Sequence, residues 1–270
     1  MNWNDVLQFT DIPHAPLGRY PTLMIARRHL LLGSAALGTL SSARADGAAR
    51  YKAIAFDGFP LIDPRPVALR AEALFPGRGA QLMEAWRTRQ FEYTWLRTLS
   101  GRYADFWRVT QEALVVAATA SRLGLTPDTR DRLMQTFLEL KVWPDVAPAL
   151  AQLKARGVRM AFLANPTVEM LEAPMRNAGL EGVLEAPLST DRVQAYKPDP
   201  RAYQMGLDAF GLKREEIVFA ASASWDAAGA KAFGYRSFWV NRANLPVEAL
   251  GAAPDAIGPG MADLVAFVVG

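Results

Sequence analysis

The chain has 270 residues, 51% of them hydrophobic and 21% charged, a balance that suits a globular protein of one large domain or two small ones. With no cysteine at all, it has no disulfides, zinc–thiolate sites, cysteine nucleophiles or CxxC redox chemistry. The formal net charge is +3, and residues 1–45, with four Arg against Asp5 and Asp11, hold +2 of it. No clustered basic face remains in the rest of the chain, so nucleic acid is excluded as a partner.

The N-terminal stretch carries three signals in order: the Arg27-Arg28 pair, an uncharged apolar run from Leu30 to Leu40, and Ala43-Arg44-Ala45 followed by Asp46. Eleven apolar or small residues are too few for a bilayer core, which needs about 20. The order matches a Tat-type signal peptide, 1–45, cut after Ala45, which places the mature protein in the periplasm, off the membrane. Both histidines, His14 and His29, lie inside this segment. Its removal leaves no imidazole for a catalytic triad or a metal site. Chemistry then falls to carboxylates, lysine, arginine, hydroxyls and backbone amides.

Beyond it, short apolar runs alternate with helical patterns. Tyr51–Phe56, Val158–Leu163, Ile217–Ala221 and Tyr235–Val240 read as buried strands, and Ala147–Arg156, Val168–Ala178, Pro200–Phe210 and Trp225–Phe233 as helices, each stopped by glycine. This alternation predicts an α/β fold with a parallel sheet covered on both faces, a Rossmann-like core. Residues 66–141 break the pattern: helical, aromatic-rich and far longer than a single crossover, they predict an inserted helical cap. The core is then 46–65 with 142–270.

In such sheets the site lies beyond the carboxyl ends of the strands, which here present Asp57, Asn165 and the stretch Ser222–Asp226. Asp57, just after an apolar strand, is suited to attack as a carboxylate nucleophile, forming an ester that water later cleaves. An aspartate in that place is equally often a turn former.

Several motifs together resemble the haloacid dehalogenase superfamily: Phe56-Asp57, Asn165 after a strand, Tyr196-Lys197-Pro198-Asp199-Pro200 and Trp225-Asp226-Ala227-Ala228-Gly229-Ala230. The runs Trp86-Arg87-Thr88-Arg89-Gln90-Phe91-Glu92-Tyr93-Thr94-Trp95-Leu96 and Arg102-Tyr103-Ala104-Asp105-Phe106-Trp107 closely resemble the cap of the type II L-2-haloacid dehalogenases. The resemblance implies a Rossmann-like core, a helical cap, and neither metal nor other cofactor. Phe59 stands where superfamily phosphatases carry their acid/base aspartate. By the same resemblance Asp57 attacks the substrate carbon with inversion, and Lys197 keeps it ionised and oriented. Arg87 receives the halide with Asn165, and Asp226 orients or activates the hydrolytic water. Tyr203 lines the substrate pocket, and Phe59, Trp225, Phe91 and Phe106 form its apolar wall.

The chain also departs from the family. Its first loop, DGFPLID, is one residue short and lacks a threonine; Ala164 replaces a substrate-binding serine, and Ala221 and Ala223 replace a serine and an asparagine near the lysine and water. The implied partner is a small 2-substituted carboxylate, and the simplest activity is (S)-2-haloacid dehalogenation to a 2-hydroxy acid. Ring-opening hydrolysis of L-azetidine-2-carboxylate is the rival, and a periplasmic binding module on the same fold a non-enzymatic third. The aromatic cap leaves room for a homodimer.

Overall fold

The computed structural model describes residues 49–270, so the expected signal segment lies outside the described residues. Six strands form one parallel sheet in the order β3-β2-β1-β4-β5-β6. They are β1 (Ala53–Phe56), β2 (Arg159–Ala164), β3 (Leu188–Ser189), β4 (Ile217–Ala221), β5 (Arg236–Val240) and β6 (Ala256–Gly258). β1 lies in the middle, with Phe56 opposite Phe162 of β2 and Ala220 of β4. Every residue of β1 and β4 is buried, as a strand covered on both faces requires. Alternate residues serve opposite layers: Ile54 and Phe56 join one apolar cluster, Ala53 and Ala55 the other. Reversal of strand order at β1 opens the crevice above its carboxyl end.

Four helices separate β1 from the rest: α1 (Arg65–Leu74), α2 (Gly79–Leu99), α3 (Phe106–Ala120) and α4 (Pro127–Glu139). The chain leaves the sheet layer and returns side by side. Ile62 bridges Val142, the Asp63 amide donates to the Lys141 carbonyl (2.9 Å), and the Trp143 amide to the Leu61 carbonyl (2.9 Å). α5 (Val146–Ala155) then leads into β2, α6 (Val168–Asn177) follows it, and α7 (Pro200–Phe210), α8 (Ser224–Phe233) and α9 (Met261–Val269) complete the chain.

Local sequence fixes these ends. Asp199 caps α7 by accepting from the Arg201 amide (2.9 Å), with Pro200 at the first helical position. Gly211 and Gly234 end α7 and α8 with φ of +62° and +109°, backbone that favours glycine. Three elements go beyond the expectation: β3 and β6, of two and three residues, are too short to show a period, and α9 is an almost uninterrupted apolar run.

Candidate active site

Asp57 follows β1 directly, and its amide donates to the Ala220 carbonyl (2.9 Å), extending the ladder to β4 by one residue. That bond fixes the carboxylate at the sheet's carboxyl edge. Lys197 reaches it from the segment ahead of α7, its Nζ 2.8 Å from Asp57 Oδ1 and 2.5 Å from Asp226 Oδ2. Asp226 stands in the first turn of α8, and its second oxygen, Oδ1, accepts from the Tyr203 hydroxyl of α7 (2.7 Å). Ser222, in the turn between β4 and α8, donates its hydroxyl to Asp57 Oδ2 at 2.6 Å. Asn165, just past β2, accepts the Lys197 backbone N–H on its Oδ1 (3.1 Å). The Asn165 carbonyl accepts from the Thr190 hydroxyl (3.3 Å), and the Ser189 hydroxyl holds the Pro166 carbonyl (2.9 Å). The ends of β1, β2 and β4 and the starts of α7 and α8 thus meet in one hydrogen-bonded cluster, with the Lys197 ammonium between two carboxylates.

The electrostatics follow from burial and charge. Asp57 is 8% exposed, Lys197 and Asp226 each 1%. Burial pushes the Asp57 carboxyl up, but the Lys197 ammonium, the Ser222 hydroxyl and the Gly58 amide outweigh it, and its pKa lies below the ordinary carboxylate value. Burial pulls Lys197 down, and the two carboxylates raise it above the ordinary lysine value. Asp226 differs: burial, joined by repulsion from Asp57, overcomes Lys197 and lifts it to about 6. One lysine cannot neutralise two buried carboxylates fully, and Asp226 absorbs the deficit.

A cavity of about 660 Å³ opens between this cluster and the helical insertion, with Phe59, Arg87, Phe91 and Ser222 among its walls. Arg87 is exposed on α2, its guanidinium 5.6 Å from the Phe91 ring centre, and no carboxylate among the described residues pairs with it. It offers an unpaired cation to the cavity that Ser222, the partner of Asp57, also lines. Phe59 and Phe91 stand in the expected apolar wall. Trp225 does not: its ring packs edge-on against Phe91 (5.6 Å) and Trp95 (5.7 Å), tying α8 to α2, and borders a separate apolar groove. Phe106 is core, 2% exposed and 6.1 Å from the Tyr196 ring. Tyr203 is fully buried against Phe219, Phe233 and Tyr235, so its hydroxyl holds Asp226 instead of facing the 660 Å³ cavity. Sequence reasoning places the stretch Ser222–Asp226 at this sheet edge but assigns Ser222 no role, and the bond to Asp57 is what the structure adds.

The chain is similar to known proteins in sequence and fold. The model of the haloacid dehalogenase-like hydrolases matches residues 38–234, and the chain belongs to that family. It is 40% identical over 220 residues to haloacetate dehalogenase H-2 of Moraxella sp. (strain B), covering 81% of this chain and 98% of that one. It is also 40% identical over 205 residues to the (S)-2-haloacid dehalogenase of Pseudomonas sp. (strain YL), covering 76% and 88%. Among solved structures, an L-2-haloacid dehalogenase superposes with a TM-score of 0.79 at 40% identity, over 81% of this chain and 98% of that one. The Xanthobacter autotrophicus L-2-haloacid dehalogenase with chloropropionic acid covalently bound gives 0.73 at 33% identity, over 80% and 98%.

Proposed function

We propose that this chain hydrolyses small (S)-2-haloalkanoates to 2-hydroxy acids and halide through an aspartyl ester on Asp57, using no metal ion. One observation carries the reading: a carboxylate at the end of β1 is kept ionised by a buried lysine and bonded by Ser222, which lines the same cavity as an unpaired arginine. Asp57 attacks C2 in line; the C2–halogen bond breaks with inversion, and the halide leaves toward Arg87, whose guanidinium suits a desolvated anion. Asn165, with its Oδ1 taken by Lys197, has its amide N–H for the same anion. Water then attacks Cγ of the ester, Lys197 stabilising charge on the carbonyl oxygen beside it. Asp226, lifted to about 6, is ionised at neutral pH and suited to accept a proton. The names and covalent complex of the relatives support this chemistry. The Tat-like signals of the N-terminal stretch support a periplasmic location for it.

Single turnover in oxygen-18 water tests the mechanism. Label should enter Asp57 while the first product carries unlabelled enzyme oxygen, and Asp57→Asn should lose nearly all turnover with its fold intact. Label going straight into product would make Asp57 a general base and end the covalent reading. The replacement of polar pocket residues by Ala164, Ala221 and Ala223 favours a second substrate, L-azetidine-2-carboxylate, whose ring nitrogen leaves in place of halide. Arg87 weighs against it, since a departing amine gains little from a cation. Parallel incubation with L-2-chloropropionate and L-azetidine-2-carboxylate, scored for chloride and hydroxy acid, separates the two.

A further inference from the structure

The turn after β4 carries one hydroxyl that the reaction outlined above leaves without a task. Ser222 Oγ lies 2.6 Å from Asp57 Oδ2, the oxygen that Lys197 does not hold, and Ser222 lines the 660 Å³ cavity. Its backbone is pinned, because the Trp239 indole N–H donates to the Ser222 carbonyl (3.1 Å). The rest of the turn offers no substitute: Ala221 and Ala223 have no polar atoms, and the Ser224 hydroxyl is turned to the Glu248 amide (3.0 Å). Asp226 is buried, with Oδ2 on Lys197 and Oδ1 accepting from Tyr203, so of the side chains from Ser222 to Asp226 only Ser222 lines the 660 Å³ cavity.

We propose that Ser222 is the positioning residue for ester hydrolysis, holding the attacking water on Asp57 Cγ. This rests on the dehalogenation reading. In the resting site the hydroxyl orients Oδ2, the oxygen on the open side. Attack by Oδ2 forms the Oδ2–C2 bond and expels halide; Oδ2 becomes the ester bridge and loses most of its value as an acceptor. The Ser222 hydroxyl then turns to the incoming water. The water oxygen bonds to Cγ and the Cγ–Oδ2 bond breaks. One water proton ends on the product hydroxyl, and the other passes to Asp226, the base of the reaction outlined above, and on to solvent as the Asp57 carboxylate is restored. Ser222 neither bonds covalently nor gains or loses a proton.

The test is rapid-quench mass spectrometry of the full chain turning over L-2-chloropropionate, with kcat and KM for Ser222→Ala and Ser222→Thr. Ser222→Ala should lower kcat on the order of 10- to 100-fold, as loss of a near-attack arrangement does. KM should fall with it, kcat/KM should change little, and the Asp57 ester should become the predominant enzyme form. Ser222→Thr, which keeps the hydroxyl, should recover most of the rate. A structural role alone would not load the ester. An unchanged kcat overturns the proposal, as does a loss of kcat/KM without ester, which would confine Ser222 to orienting the nucleophile. Ester loading without rescue by Ser222→Thr overturns it too. Wild-type chain that forms no ester and releases no chloride fails one step earlier, at the dehalogenation reading itself.

Discussion

At the scale of single residues, Asp57, Lys197, Asp226 and Tyr203 form one chain of hydrogen bonds, and its two carboxylates are treated unequally. Asp57 is pushed below the ordinary carboxylate range and Asp226 is raised to about 6, although both touch the same ammonium. Burial and the negative charge of Asp57 raise Asp226; Lys197 and the Tyr203 hydroxyl lower it. The reaction changes this balance, because esterification erases the Asp57 charge and with it one of the two upward pushes. The proton acceptor must be ionised, so kcat should fall as pH drops, with the acid limb below 6. Tyr203→Phe removes a hydrogen bond to the ionised form and raises the Asp226 pKa, so the limb should move to higher pH while the rate at pH 9 changes far less. A pH profile of kcat for both proteins checks this. A limb that stays put, or moves down, would mean that a group other than Asp226 sets it.

Between elements, the helical insertion holds the lysine's segment in place. The Tyr196 hydroxyl donates to the Ala104 carbonyl in the loop ahead of α3 (2.5 Å), and the Tyr196 amide donates to the Thr98 hydroxyl near the end of α2 (3.0 Å). Its ring stacks on Tyr103 at 5.0 Å, and Tyr103 in turn hydrogen-bonds Asp191. Tyr196→Phe keeps the ring and strands a buried carbonyl, which should cost about 1–3 kcal/mol. Urea unfolding should register that loss, and kcat should fall with it because the next residue is Lys197; unchanged stability would show that the Ala104 carbonyl finds another donor. The sequence made much of this architecture legible, for local reasons. β1, β2, β4 and β5 are apolar runs with turn residues at their ends, and the glycines after α7 and α8 mark left-handed stops. A strand end also identifies the nucleophile's position. Side-chain direction inside a turn or helix is not local. Nothing in Ser222-Ala223-Ser224 tells which hydroxyl meets Asp57, since Trp239 on β5 and Glu248 on a distant loop decide it. Tyr203 likewise turns inward because Phe219, Phe233 and Tyr235 receive its ring, three partners that its own helix cannot announce.

For the molecule as a whole, the question is how much of the chain the chemistry needs. Packing is established close behind the expected cleavage point. Tyr51 is buried, its ring stacked on Phe267 of α9 (5.4 Å), and the Lys52 amide donates to the Glu216 carbonyl (3.0 Å) ahead of β4. These contacts all lie after Ala45, so the expected cut leaves them in the chain. Such a cut would remove both histidines, His14 and His29. Expressed with its full N-terminus in a host with Tat machinery, the protein should be recovered from the periplasm with Asp46 as its first residue. Replacing Arg27 and Arg28 by Lys should keep it in the cytoplasm. The site residues named above all lie from Asp57 to Asp226, and protein starting at Asp46 should match the full chain in kcat and in melting temperature. Intact chain found only in the cytoplasm, with the twin arginines present and the machinery working, would remove the periplasmic assignment and leave the chemistry of Asp57 untouched. A processed protein with lower kcat than the full chain would be the more consequential result, since it would give residues ahead of Asp46 a part in the activity.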